Sequence, residues 1–227
     1  MKYKNIQKGF FLSRINRFTA KILINDAEEI CHVKNTGRCK ELFIPGVGVY
    51  VEKSDNPDRK TKFDLISLYK NNNLINVDSQ APNKVVKEYL EKGQFIKNIS
   101  LIKPEYTYKK SRFDFYVESG NRKIFIEVKG VTLENNGVVK FPDAPTLRGV
   151  KHLNELCECI KDGYEAFVIF VIQMENAIYF TPNGDTDPEF AKALNKAISS
   201  GVNINCFSCT VTEDELKIKE SVPFKTE

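Results

Sequence analysis

No stretch of this 227-residue chain approaches the ~20 consecutive apolar residues of a membrane-spanning helix. Met1-Lys2-Tyr3-Lys4-Asn5 is not followed by the apolar core of a secretory signal, so the expectation is a cytoplasmic protein with no membrane partner. Internal repeats and low-complexity segments are missing, as are serine-hydrolase and phosphate-loop motifs. Histidine is scarce, with only His32 and His152. Cysteine is not, at 6, and Cys206-Phe-Ser-Cys209 with Cys157-Glu-Cys159 has the close spacing of a structural zinc site. Two features count against zinc. Residues 202–211 read as a strand, which sends neighbours to opposite faces, and Cys157 lies in an apolar helical stripe where a thiol acts as a small hydrophobe. Without a secretion signal, reduced thiols are expected.

A hydrophobic content of 41% is ordinary for a folded chain, and the length suits one large or two small domains. The net charge is only +4, but it is unevenly placed. Residues 1–80 carry 14 Lys and Arg against 9 Asp and Glu, while the remainder carries 20 against 21. Lys2, Lys4, Lys8, Arg14, Arg17 and Lys21 all precede the first acid, Asp26, and are interleaved with Tyr3, Phe10, Phe11 and Phe18. Phosphates attract the cations and exposed bases stack on aromatics; alternatively, the phenylalanines are the core side of a basic strand. Short strands are predicted over 17–24, 28–34, 47–53, 62–69 and 73–77, separated by Gly, Pro and Asn turns. Five short strands in this span suit a small OB-like β-barrel, with a DNA surface at Arg14, Arg17, Lys21 and Arg38. The polar segment Val77-Asp78-Ser79-Gln80-Ala81-Pro82 marks the boundary, which predicts an OB-like domain over 1–80 and a second domain over 81–227.

The second domain holds the chemistry. Ser111–Val117 and Lys123–Lys129 alternate apolar and polar residues around the turn composition Ser119-Gly120-Asn121-Arg122, which predicts a β-hairpin. If Gly120-Asn121 is a two-residue loop, Phe115 faces Ile126 and Asp114 faces Glu127. Glu127 and Lys129 then share one face. Ile124, Ile126 and Val128 take the other, beside Phe113, Phe115 and Val117. Two facing carboxylates repel by roughly 0.2–1 kcal/mol unless a cation lies between them, so the arrangement calls for a metal. Carboxylates, backbone carbonyls and water suit Mg²⁺ or Mn²⁺. Lys129 beside such a centre would orient the attacking water or stabilise charge on a phosphorane.

A helix over 81–92 precedes the hairpin, a second over Thr146–Lys161 follows it, and Ala166–Ile172 reads as a strand buried on both faces. Helix, hairpin, helix and strand in that order resemble the PD-(D/E)xK nuclease core, a mixed sheet flanked by helices, joined by a right-handed crossover. Around it, Glu88 is either a further metal ligand or a solvated helix position, and Gln173 either a DNA contact or a strand-end polar residue. Arg148, Lys151 and His152 share a helical face by their spacing and can clamp a phosphate. His152 alone is more readily a hydrogen-bonded structural residue than a general base.

Arg17-Phe18, Asn35-Thr36-Gly37-Arg38, Ser111-Arg112-Phe113-Asp114, Glu127-Val128-Lys129-Gly130-Val131-Thr132-Leu133, Phe141-Pro142-Asp143-Ala144-Pro145-Thr146, Arg148-Gly149 and Lys151-His152-Leu153 together resemble the sugar fermentation stimulation protein A family. The resemblance runs through almost the whole chain. It implies an N-terminal OB-like domain, a C-terminal PD-(D/E)xK-like domain, and DNA binding linked to regulation of sugar-utilisation genes. Asp114, Glu127 and Lys129 match the nuclease triad, so the expected role is a DNA-binding protein with a nuclease-like divalent-metal site. The alternative is an active Mg²⁺- or Mn²⁺-dependent DNA phosphodiesterase. A pseudopalindromic DNA site would imply a homodimer.

Overall fold

Strand β1 (Ile6–Arg14) runs antiparallel to both β2 (Thr19–Ile24) and β4 (Gly48–Lys53), and β3 (Ala27–Val33) continues from β2 as a hairpin. Strand β5 (Phe63–Lys70) pairs antiparallel with β4 and parallel with β3, which closes the five strands into a barrel. Closure removes the sheet edges and turns alternate residues, among them Phe11, Ile22, Val33, Val51 and Leu65, into a buried core. The computed structural model describes residues 1–35, 37 and 39–226.

The barrel is OB-like, as its strand pattern predicts, but its make-up differs. Ile6–Arg14 supplies a barrel strand absent from the predicted set. The last predicted strand, β6 (Asn73–Asn76), has β5 as its one ladder partner among the described strands and is an added arm outside the closure. The basic N-terminal segment is thus a strand, and its phenylalanines divide: Phe11 is core, whereas Phe10 and Phe18 are exposed.

Helix α1 (Ala81–Glu91) begins with Pro82 in its first turn, where no helical N–H is needed, and the chain leaves it through Gly93 at φ +59°. Three antiparallel strands follow, β7 (Ile99–Tyr108), β8 (Ser111–Ser119) and β9 (Arg122–Val131), so the predicted hairpin carries one strand more than expected. Next come the short hairpin β10 (Leu133–Asn135) and β11 (Val138–Phe141), then α2 (Leu147–Lys161) and β12 (Glu165–Ile172), which lies parallel to β9. Strand β13 (Tyr179–Pro182) joins β11, and α3 (Pro188–Ser199) leads to β14 (Asn203–Val211) and β15 (Leu216–Ser221). The main sheet runs β15-β14-β12-β9-β8-β7. Helix α1 covers one face, while α2 covers the other and packs against α3. This mixed sheet flanked by helices is the PD-(D/E)xK-like architecture expected. Among the described residues no helix is long and apolar enough to cross a membrane.

The segment after β6, polar in composition, is not a loose linker: Val77 and Asp78 are fully buried. Gln173, just past β12, donates from Nε2 to Asn76 Oδ1 (2.8 Å) and to the Asp78 carbonyl (3.1 Å), and the Asn76 N–H donates back to the Gln173 carbonyl (2.9 Å). Asp78 Oδ2 accepts from Tyr3 and from Lys34, both at 3.3 Å, and Lys70 of β5 bonds Glu134 of β10 (2.7 Å). Gly130 lies at this seam. A Cβ there would stand 2.5 Å from Gln173 Oε1 and 2.7 Å from Pro82 Cγ. Gly130→Ala is expected to destabilise the fold by about 1–3 kcal/mol, read as a lower urea midpoint at unchanged slope.

Candidate metal centre and nucleic-acid surface

The register of β8 and β9 is the predicted one. Phe115 faces Ile126 and Ser119 faces Arg122 across a two-residue turn led by Gly120 at φ +58°. The ladder ends at Phe115, and Asp114 turns its carboxylate onto the neighbouring backbone instead. Oδ2 accepts from the Val128 N–H and Oδ1 from Asn83 Nδ2 of α1, both at 2.7 Å. On the other side, the β7–β8 ladder omits the Glu105–Asp114 pair, and Glu105 sits at φ +52°. This irregularity corrects the predicted facing of Phe113. Its ring packs on Phe125 (5.4 Å) and His152 (5.8 Å), in the cluster under α2 rather than beside Phe115 and Val117.

Glu127 is only 3% exposed. Its Oε1 accepts from Lys129 Nζ and is bonded to His152 Nδ1, each at 2.6 Å, while Oε2 is buried with no hydrogen-bond partner. His152, itself 4% exposed, faces Arg148 Nε through its Nε2 at 3.4 Å. An arginine only donates, so Nε2 accepts and Nδ1 carries the proton that Glu127 receives. The partner lacking for His152 in the sequence is therefore Glu127.

The two carboxyls are pushed apart. Burial, then the charge of Glu127, raises Asp114 above the usual aspartate range, against the opposing Val128 N–H, Asn83 and Lys129. Burial also pushes Glu127 up, but the His152 hydrogen bond and the Lys129 charge outweigh it and leave Glu127 below its ordinary value. One carboxylate with a free buried oxygen beside a second strained towards protonation fits an oxygen-liganded divalent cation that draws its remaining ligands from water or phosphate. Among the described residues no group of three or more His, Cys, Asp or Glu is placed to hold a metal. The fit is therefore to a two-carboxylate site and not to a closed protein cage.

Glu88 is not brought to this cluster. Its carboxylate pairs with the N-terminal ammonium at 3.1 Å and with Lys92 at 3.8 Å, and Asn83, one turn earlier on α1, takes the place at Asp114. Lys151 is also elsewhere: it bonds the Lys110 carbonyl at 2.7 Å and approaches Glu155 at 3.8 Å, so only Arg148 and His152 of the predicted trio meet. On the barrel, Arg14 donates to the carbonyls of Asn16, Arg17, Asn35 and Gly37 at 2.7–3.2 Å and lies 4.5 Å over Phe43, knitting two loops together. Lys21 approaches Glu28 at 3.6 Å, and Arg17 is exposed. Arg38 lies outside the described residues. Gln173 is a buried seam residue and no surface contact.

Asn83 and Asp187 were missed by sequence reasoning. Asp187 accepts from the Thr146 N–H (2.8 Å) and the Phe190 N–H (3.0 Å), fixing the start of α2 against the start of α3. Its signal was present: Asp187-Pro188 ahead of Phe190, Ala193, Leu194 and Ala197 is a capped helix start with helical apolar spacing. All six cysteines are free and buried, and burial raises the Cys206 and Cys209 thiols to about 12. Those two sit in different clusters on opposite faces of β14.

The sugar fermentation stimulation protein RE domain family matches residues 80–215, and the SfsA N-terminal OB domain family matches residues 12–77. Sugar fermentation stimulation protein homologs of Clostridium beijerinckii and Ruminiclostridium cellulolyticum are 60% and 59% identical to the chain, each over 98% of both sequences. The solved structure of Pyrococcus furiosus SfsA in complex with Ca²⁺ is 27% identical and superposes with a TM-score of 0.91, covering 99% of this chain and 98% of that one.

Proposed function

The chain belongs to the sugar fermentation stimulation protein family, and on that premise we propose that it binds DNA and cleaves it at a divalent-cation centre built on Asp114, Glu127 and Lys129. The observation that carries this reading is the unpartnered Oε2 of the buried Glu127 beside the half-buried carboxylate of Asp114. An ionised oxygen left without a donor in a protein interior costs about 1–3 kcal/mol or more, and a cation removes that cost. The Ca²⁺ complex of the Pyrococcus furiosus relative supports a hard divalent ion, and the two-carboxylate set suits Mg²⁺ or Mn²⁺.

When bound, the ion supplies Lewis-acid charge stabilisation and a more acidic water. The chain does the rest. Asn83 and the Val128 N–H hold Asp114, and His152, itself held by Arg148, holds Glu127. Lys129, half-buried on Glu127, keeps a cation beside the reacting phosphate, where it orients the incoming water or offsets the charge that builds on the phosphoryl oxygens.

The test is incubation of supercoiled, linear and single-stranded DNA with the protein in Mg²⁺, Mn²⁺ or EDTA, beside Asp114→Ala and Lys129→Ala. Cleavage should stop in EDTA and fall by about 10²-fold or more in each variant. Cleavage that persists unchanged in both variants would remove these residues from the reaction.

One feature favours a second reading. Lys129 and His152 both engage the same oxygen of Glu127, which leaves the lysine occupied. A DNA-binding regulator of sugar-utilisation genes on a retained nuclease-like scaffold, bound to a pseudopalindromic site as a homodimer, would tolerate that. Tight DNA binding with no cleavage in any metal would establish it over the first.

A further inference from the structure

A cleft of about 590 Å³ opens between the barrel and the segment leading into α2, and the metal centre does not use it. Asn16, Arg17, Lys40 and Phe43 line it from the barrel, and Ala144 from the other side. Its floor is fixed, because Arg14 bonds both barrel loops and lies over Phe43. Phe18, next to Arg17, is 54% exposed, although Asn16 Oδ1 accepts from its N–H at 2.8 Å and holds the turn.

Three residues beyond Ala144 in the chain, at the first position of α2, Leu147 is 90% exposed. It is not on a loose end. The Thr146 N–H is anchored on Asp187, and the Gly149 N–H donates to Thr146 Oγ1 at 3.0 Å. The nearby acids are Asp143, whose carboxylate lies over Gly37, and Glu41; Arg17 and Lys40 stand against them, with Arg14 beneath. The balance favours an anion. Cations alone would serve a duplex backbone, but an exposed aromatic gains only from a base whose face is free, and an apolar side chain carried on anchored backbone is the kind that parts base steps.

We propose that this cleft takes an unpaired DNA strand, with a base stacked on Phe18, phosphates on Arg17 and Lys40, and Leu147 as a wedge against the complementary strand. The proposal rests on the DNA-binding reading above and names the substrate class: forked or single-stranded DNA, not blunt duplex. Helix α2 advances about 1.5 Å per residue, so the wedge stands roughly 8 Å along the helix from His152, which contacts Glu127. A strand parted at Leu147 is thereby led towards the metal centre.

Fluorescence anisotropy in EDTA tests this without any cleavage, using labelled single-stranded, forked and blunt duplex DNA of equal length. Single-stranded and forked DNA should bind about 10-fold or more tighter than blunt duplex. Phe18→Ala should weaken the first two by roughly 5- to 150-fold and leave the duplex unchanged, while Arg17→Glu weakens all three. A fluorescent base analogue at the fork junction should brighten on binding, and Leu147→Ser should abolish the brightening. Equal affinity for blunt and forked DNA, or an unaltered preference in Phe18→Ala, overturns the proposal while leaving DNA binding intact. No binding to any of the three overturns both.

Discussion

Asp114→Asn is expected to lose cation-dependent cleavage by about 10²-fold or more and, at neutral pH, to melt at a higher temperature than the parent. The carboxylate is half-buried beside Glu127, and both its desolvation and that charge act against its ionised form. Asparagine keeps the acceptor for the Val128 N–H. If the Asn83 amide turns over, its oxygen accepts from the new amide, so no hydrogen bond need be lost. Relief of facing like charges is worth roughly 0.2–1 kcal/mol, or up to about 4 °C for a chain of this size.

The sign with pH follows from the raised carboxyl. Above its folded pKa the parent bears the full penalty of an ionised Asp114. Below the ordinary value of 3.8 the group is neutral folded and unfolded alike, so the advantage of the variant fades as pH falls through that interval. Mn²⁺ gives an independent reading. A cation that binds only the folded state raises the parent's melting temperature with concentration and should leave the variant's almost unmoved. A variant less stable than the parent at pH 7 without metal would contradict the strain assigned to Asp114.

His152→Ala should be the most damaging single change at the centre, at about 3–5 kcal/mol, or on the order of 10 °C in melting temperature. It removes a buried ring packed on Phe113 and a hydrogen bond to a buried carboxylate. His152→Phe separates the two losses, since it keeps a ring but no donor. Burial pushes Glu127 up and His152 pulls it below 4.5, so the stability this supplies is present above 4.5 and is lost as pH falls through the lower folded value. Without the donor the folded pKa rises. The deficit of His152→Phe against the parent should therefore be largest near neutrality and shrink in acid, a trend that chemical denaturation across the acidic range would reveal. A deficit independent of pH would mean that the ring matters for packing alone.

The hairpin was legible in the sequence because a period-2 pattern and a two-residue turn leave one register, and Asp114, Glu127 and Lys129 follow from it. The facing of Phe113 was not, because the flip arises from an irregularity at Glu105 on a strand that the alternation did not mark. Glu88 and Asn83 lie on one helix, and periodicity cannot say which end of α1 meets the sheet at Asp114. Likewise, Arg14 looks like any surface cation until the loop carbonyls it binds come together in space. Helix α3 could have been found from Asp187-Pro188 and the spacing behind it. Four of the barrel's five strands were readable; Ile6–Arg14 was not, and neither was the closure, since the pairing of β3 with β5 joins strands far apart in sequence.

The contacts of Gln173 with Asn76 and Asp78 determine how the molecule comes apart. If the chain were divided after Gln80, one fragment would keep a buried amide without its acceptors, and the other a buried aspartate facing water. Neither half could open while the other stayed intact without stranding these groups. Barrel and sheet are therefore coupled into one calorimetric unit, and a lesion in either is registered by both.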